Sequence, residues 1–174
     1  MTAAAAGAGP AYAFRRVVPD DLPMLSGWLR EPHVSSWWGE PDEELALIAG
    51  DVDAPGMRLE IVSVDGRPFA YVQAWDVAHY EDRLGQPDGT RGIDSFIGVP
   101  ELAGRGHGSR FVRLFAERLV AEGAPRVIVG PDPANGAALG CYRKAGFVPT
   151  SVVDLPDGSV LLMAWDAANG KTMR

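Results

Sequence analysis

Apolar residues along this chain recur with two periods, two and about 3.6, and the switches between them mark out the elements. Tyr12 to Val18 alternates in part and predicts a first strand. Pro19-Asp20-Asp21-Leu22-Pro23 predicts a helix start, because acidic side chains suit the positive end of a helix and proline fits its first turn. Leu22, Leu25, Trp28 and Leu29 form its apolar face, and Pro32 ends it. His33 to Trp38 reads as a short helical turn. A further helix is expected after Pro41, with Leu45, Leu47 and Ile48 inward and an end near Gly50. Leu59 to Val64 and Pro68 to Val77 then flank Asp65-Gly66, a pair suited to a tight hairpin turn. His79 to Gly89 is polar and rich in turn formers, so a loop is predicted there.

The second half is denser in signal. Ile93, Phe96, Ile97 and Val99 fit a buried strand over Ile93 to Val99. Gly104-Arg105-Gly106-His107-Gly108-Ser109 follows as a glycine loop. Behind it Phe111, Leu114, Phe115 and Leu119 make one helical stripe ending near Gly123. Val127-Ile128-Val129 is a short strand, and Asn135 opens another helix. Phe147 to Leu155 and Val160 to Trp165 flank Pro156-Asp157-Gly158, a second hairpin. No repeat or linker interrupts this order. One domain over residues 11–166 is expected, with a disordered tail over 1–10 and a loose one over 167–174.

Composition narrows the class. The 174 residues suffice for one sizeable core, and 47% hydrophobic with 22% charged residues is ordinary for a soluble globular chain. A net charge of −7 argues against nucleic acid and anionic membrane and favours cationic partners, although modest negative charge also simply aids solubility. The single cysteine, Cys141, allows no internal disulfide and fits a reducing, cytoplasmic location. No apolar run approaches the roughly 18 residues that span a bilayer, and the Ala/Gly-rich start lacks a basic leader.

The glycine loop carries the first chemistry. A helix leaves its first amides without internal partners and places partial positive charge there, and glycines let the backbone approach a ligand closely. Arg105 adds a planar fork of donors. The ligand that suits this loop is a phosphate or pyrophosphate, although glycine loops also occur as plain turns. The dinucleotide spacing G-x-G-x-x-G is not met, because the glycines fall as G-x-G-x-G with Ser109 next. The Walker spacing is also absent.

The chain resembles the GCN5-related N-acetyltransferase (GNAT) superfamily in three places. These are Arg105-Gly106-His107-Gly108-Ser109-Arg110-Phe111, then Asn135 just past Val127-Ile128-Val129, then Cys141-Tyr142-Arg143-Lys144-Ala145-Gly146-Phe147. One departure is Ala103, where the family often has Gln or Arg. A narrower resemblance, over about Phe14 to Trp165, is to aminoglycoside 6′-N-acetyltransferases. It rests on Pro32-His33-Val34-Ser35-Ser36-Trp37-Trp38-Gly39, Arg91-Gly92-Ile93-Asp94 and Pro156-Asp157-Gly158. Enzymes that acetylate hydroxylysine siderophore precursors share part of it.

The resemblance implies an α/β (α+β) GNAT fold, with a mixed, mostly antiparallel sheet of about six to seven strands flanked by helices. It implies acetyl-coenzyme A as cosubstrate, no metal, and a cationic amine as acceptor, in a monomer or homodimer. Ser95, Phe96, Ile97, Gly104, Arg105, Gly106, His107, Gly108, Ser109, Asn135, Tyr142 and Lys144 are then expected around the coenzyme. Asn135 could equally cap its helix, and Lys144 could equally be a solvated helix-end charge. Asp94 matches an amine-binding residue proposed as general base, or else an Asp that fixes a strand end. A free Asp, with pKa about 3.9, is a weak base toward an ammonium and suits holding the amine and passing its proton on. Tyr142 matches the general acid beside the sulfur, or else packs in the core; a phenol near about 10 protonates a thiolate near about 8.5 slightly uphill. Trp37, Trp38, Gln73, Trp75, Tyr80, Glu81, Asp82, Asp94 and Asp157 are expected around the sugar, with core packing as the alternative for the paired tryptophans. Gly130 stands where the aminoglycoside enzymes often carry Asp.

His33, His79 and His107 show no metal-ligand spacing, and Ser109 lies outside a hydrolase elbow. The function expected is acetyl transfer to an aminoglycoside amine, at the 6′ position, by direct attack on the thioester. The rivals are a siderophore hydroxylysine or other small-amine acetyltransferase, and a non-catalytic acyl-coenzyme A-binding module.

Overall fold

Seven strands join in one mixed sheet of order β1-β2-β3-β4-β5-β7-β6 in the computed structural model, which describes residues 9–79, 83–156 and 158–166. The strands are β1 (Tyr12–Arg16), β2 (Arg58–Val64), β3 (Arg67–Asp76), β4 (Arg91–Ile97), β5 (Arg126–Val129), β6 (Val148–Leu155) and β7 (Gly158–Asp166). Every neighbouring pair is antiparallel except β4 with β5. The helices are α1 (Leu22–Leu29), α2 (Pro32–Trp38), α3 (Pro41–Asp51), α4 (His107–Ala121) and α5 (Gly136–Ala145). The expected sheet flanked by helices is therefore present, and among the described residues no helix is long and apolar enough to cross a membrane.

Local chemistry sets the helix ends. Pro32 and Pro41 each occupy a first turn, where their missing N–H is no loss. The Glu40 carboxylate accepts from the amides of Asp42 and Glu43 and so caps α3. The Asn135 side chain accepts from the Ala138 amide at 3.0 Å and caps α5. Residues 19–21, expected to begin the first helix, form a 3₁₀ turn ahead of it, with Asp21 bonded to Arg15 and to the Val18 amide.

Two apolar layers hold the helices to the sheet. On one face Phe111 of α4 meets Phe69 and Phe115 stacks on Phe14, with ring centroids 5.8 Å apart in both pairs. On the other face Trp28, Trp38 and Tyr71 surround Phe96, with Trp38 4.8 Å and Tyr71 5.2 Å from it. Each buried aromatic contributes about 1.5–3 kcal/mol of apolar transfer energy. Leu47, expected inward, is 61% exposed, and Leu114 of the α4 stripe is 40% exposed. A helix resting on one surface buries a narrower arc than the one those two leucines would complete.

Candidate active site

β4 and β5 pair only at Arg91 with Val127 and at Gly92 with Ile128. Beyond Gly92, β4 keeps its bonds to β3 alone, while β5 is paired with β7 along its whole length. The sheet divides there, so side chains from its two faces can meet through the gap. A cleft of about 300 Å³ opens at this point, lined by Trp37, Trp38, Glu44, Gln73, Asp94, Ser95, Gly130, Pro131, Asp132, Asn135, Ala138 and Tyr142. Most of these come from separate elements: α2, α3, β3, β4, the turn after β5, and α5.

Asp94 lies on the cleft floor. Its Oδ2 accepts from Gln73 Nε2 at 3.0 Å and from the Trp75 indole N–H at 2.8 Å. Gln73 is its cross-strand neighbour on β3, while Trp75 lies opposite Gly92. Trp75 reaches Asp94 because Gly92 has no side chain; a Cβ there would come within 2.0 Å of the indole. Burial raises the Asp94 carboxyl above the usual carboxylate range, and the bonds from Gln73 and Trp75 partly oppose that shift. Glu44, from α3, shifts the same way, first by burial and then by repulsion from Asp94 and Glu43.

Tyr142 approaches from the far side of the gap and is 8% exposed. Its phenol shares the cleft wall with the Ser95 side chain. Burial raises its pKa, the Asp94 charge adds to the rise, and the neighbouring Ser95 side chain opposes it. The group therefore keeps its proton across the neutral range. Cys141, next in the chain, is pushed up to about 11 by burial, so its thiol stays protonated.

The glycine loop has the form an anion cradle needs. Gly104 and Gly106 lie at φ of +70° and +83°, where a side chain would be strained. Among the described residues, no side chain and no carbonyl outside α4 accepts from the amides of residues 104–109. Arg105 and Lys144 are exposed, and the Ser109 hydroxyl donates to the Gly106 carbonyl at 3.1 Å. Gly108 lets α4 and α5 close together, since a Cβ there would stand 2.9 Å from Cys141 Sγ. His107 is packed: its Nδ1 is 2.7 Å from the Tyr12 hydroxyl, and its ring lies against Phe69.

Of the residues singled out in the sequence, Trp37, Trp38, Gln73, Asp94, Ser95, Asn135 and Tyr142 come together in the cleft. Trp37 is 48% exposed at its mouth, whereas Trp38 also packs on Phe96. Phe96 turns its ring into the core, so only its backbone remains for a ligand. The Ile97 carbonyl lies 2.7 Å from His33 Nε2. Tyr80, Glu81, Asp82 and Asp157 lie outside the described residues. Glu44 reaches the cleft without a sequence signal that singled it out, because a lone carboxylate on a helix reads as solvated, and Asp132 enters it two residues past Gly130, where the aminoglycoside enzymes often carry Asp.

The sequence profile of the acetyltransferase (GNAT) domain family matches residues 17–155. An aminoglycoside N(6′)-acetyltransferase type 1 of Klebsiella pneumoniae is 30% identical over 162 residues, covering 86% of this chain and 80% of that protein. The crystal structure of the aminoglycoside acetyltransferase AAC(6′)-Ib in complex with coenzyme A superposes with a TM-score of 0.83 at 27% identity, covering 94% of this chain and 99% of that one. The same enzyme in complex with coenzyme A and kanamycin gives 0.83 at 26% identity, with 94% and 99% covered. With the family profile spanning most of the chain and a relative 30% identical over most of both chains, this protein belongs to the GNAT acetyltransferase family.

Proposed function

We propose that this protein transfers the acetyl group of acetyl-coenzyme A to an aminoglycoside amine, at the 6′ position. The observation that carries the proposal is the meeting of Asp94 and Tyr142 in one cleft at the parting of β4 and β5. The relatives named for this activity, and the kanamycin-bound neighbour, support it.

The residues fit an acyl-coenzyme A. The unclaimed amides and left-handed glycines of the loop suit a diphosphate, with Arg105 beside it. The gap along β4 suits an extended arm that would take the place of a missing strand. Asp94, with Oδ2 occupied by two neutral donors, offers Oδ1 to an ammonium in the cleft. It takes a first proton from the ammonium and passes it to solvent, which frees the nitrogen lone pair, and it holds the neutral amine at the thioester carbon. The second proton, lost as the N–C bond forms, replaces the one given to the sulfur. Tyr142, protonated at neutral pH, donates to the sulfur as the C–S bond breaks, which stabilises the charge developing there. The nitrogen bonds directly to the acetyl carbon, the thiol leaves with a proton, and no enzyme side chain is acylated.

Three carboxylates, Glu44, Asp94 and Asp132, line the cleft, together with the exposed ring of Trp37. That favours an acceptor with several ammonium groups over a hydroxylysine precursor with fewer charges. Thiol release from acetyl-coenzyme A, followed with kanamycin-type aminoglycosides and with hydroxylysine in parallel, tests the proposal. Turnover should appear with the aminoglycosides. The Asp94→Asn variant should lose about 10²-fold or more in kcat/KM. Unchanged turnover in that variant would remove Asp94 from the mechanism, and turnover confined to hydroxylysine would reassign the substrate.

A further inference from the structure

From the part-buried chain of donors behind Asp94 we infer that Tyr71 is a positioning residue, which acts through Gln73 to keep one oxygen of Asp94 turned toward the acceptor amine. That role in catalysis rests on the acetyltransferase function proposed above; the contacts themselves do not. Tyr71 is fully buried, and its hydroxyl is 2.7 Å from Gln73 Oε1. Gln73 Nε2 is 3.0 Å from Asp94 Oδ2, and the Trp75 indole donates to that same oxygen at 2.8 Å.

The direction of this chain follows from what each group can do. An ionised carboxylate only accepts, so Gln73 must present its NH₂ to Asp94. Its carbonyl oxygen then faces Tyr71, which must donate. The indole N–H also only donates. Two donors thus converge on Oδ2, and among the described residues no donor bonds to Oδ1. Without the Tyr71 hydroxyl, the Gln73 amide loses the partner that fixes which way it faces. A flipped amide would set its carbonyl against the carboxylate.

The other ionisable groups around Asp94 stay the same when that hydroxyl is removed. They are Glu44 from α3, Asp132 from the turn after β5, and Tyr142 from α5. The Tyr71 ring itself packs on Phe96 and Trp38, contacts that a phenylalanine preserves.

The experiment is a pH titration of the full chain, wild type against Tyr71→Phe, read at the Trp75 indole N–H by ¹⁵N NMR. Steady-state kinetics with kanamycin and acetyl-coenzyme A run alongside. The indole signal follows the ionisation of Asp94 whether or not the protein turns over an aminoglycoside. In Tyr71→Phe its midpoint should rise by about half a pH unit or more. The kcat/KM for the amine should fall about twofold to tenfold, with the KM for acetyl-coenzyme A unchanged. Gln73→Met, which leaves Tyr71 and the aromatic layer intact, should shift the midpoint in the same direction. An unmoved midpoint in both variants overturns the proposal, even if melting temperature or active fraction falls. A moved midpoint in a protein that acetylates no aminoglycoside keeps the Tyr71–Gln73–Asp94 coupling and sinks the substrate assignment instead.

Discussion

Asp94 is buried enough to resist ionisation, yet its proposed work requires the charge. Burial sets its pKa above the ordinary carboxylate value, with Gln73 and Trp75 opposing the rise. Activity should therefore show an acidic limb above the usual Asp range, and kcat/KM measured between pH 4 and pH 9, about the range the groups involved span, should locate it. The same shift has a stability side. Below the unfolded pKa the carboxyl is neutral in both states, and as pH rises through the folded value, keeping it ionised in the cleft costs stability. Asp94→Asn removes that cost, so its Tm at neutral pH should equal or exceed that of wild type by up to about 4 °C while activity is lost. Calorimetry of the two proteins checks this. Glu44 is shifted the same way and shares the cleft. Glu44→Gln should raise KM about threefold to tenfold for acceptors with several ammonium groups and much less for a monoamine, as one charge-assisted bond implies. Equal effects on both acceptors would remove Glu44 from substrate binding.

At the scale of elements, close approach depends on missing side chains. Gly92 lets Trp75 lie across β4, and Gly98 lets Trp28 do the same just past the strand end, where a Cβ would fall within 2.1 Å of the ring. Gly92→Ala should displace the indole from Asp94, cost about 1–3 kcal/mol by overpacking, and lower kcat/KM more than Gly98→Ala, which disturbs only the aromatic layer. Denaturant melts and kinetics of the two variants separate these effects. β3 shows how one extra residue re-aims a strand. Its pairing with β2 slips between Val62 and Ser63, so Phe69 has no opposite residue. Phe69 packs toward α4, while Tyr71, two positions on, joins Trp38 and Phe96 on the other face. Simple alternation would put both rings on one side.

For the molecule as a whole, charge and cleft chemistry agree. A net charge of −7 and a cleft with three carboxylates attract polycations, so a cationic acceptor gains from long-range attraction. Salt screens it, with a Debye length of about 8 Å at physiological ionic strength and about 3 Å at 1 M. The amine KM should rise steeply between low salt and about 0.5 M, while that of an uncharged acceptor analogue stays nearly flat. A flat amine KM would mean that net charge serves solubility alone.

Most elements were legible because their causes are local. Apolar spacing marked α4, Asp-Gly marked the β2–β3 turn, proline and Asn135 marked helix starts, and the glycine loop announced its own backbone. Asp94, Tyr142 and the loop could be named from short motifs for the same reason. What sequence could not give is which residues meet. Glu44 and Tyr71 reach the site through strand register and helix docking, and the bulge at Phe69 and the parting of β4 from β5 decide which faces share the cleft. Local pattern fixes where a side chain points relative to its own backbone; only the packing of distant segments fixes what it points at.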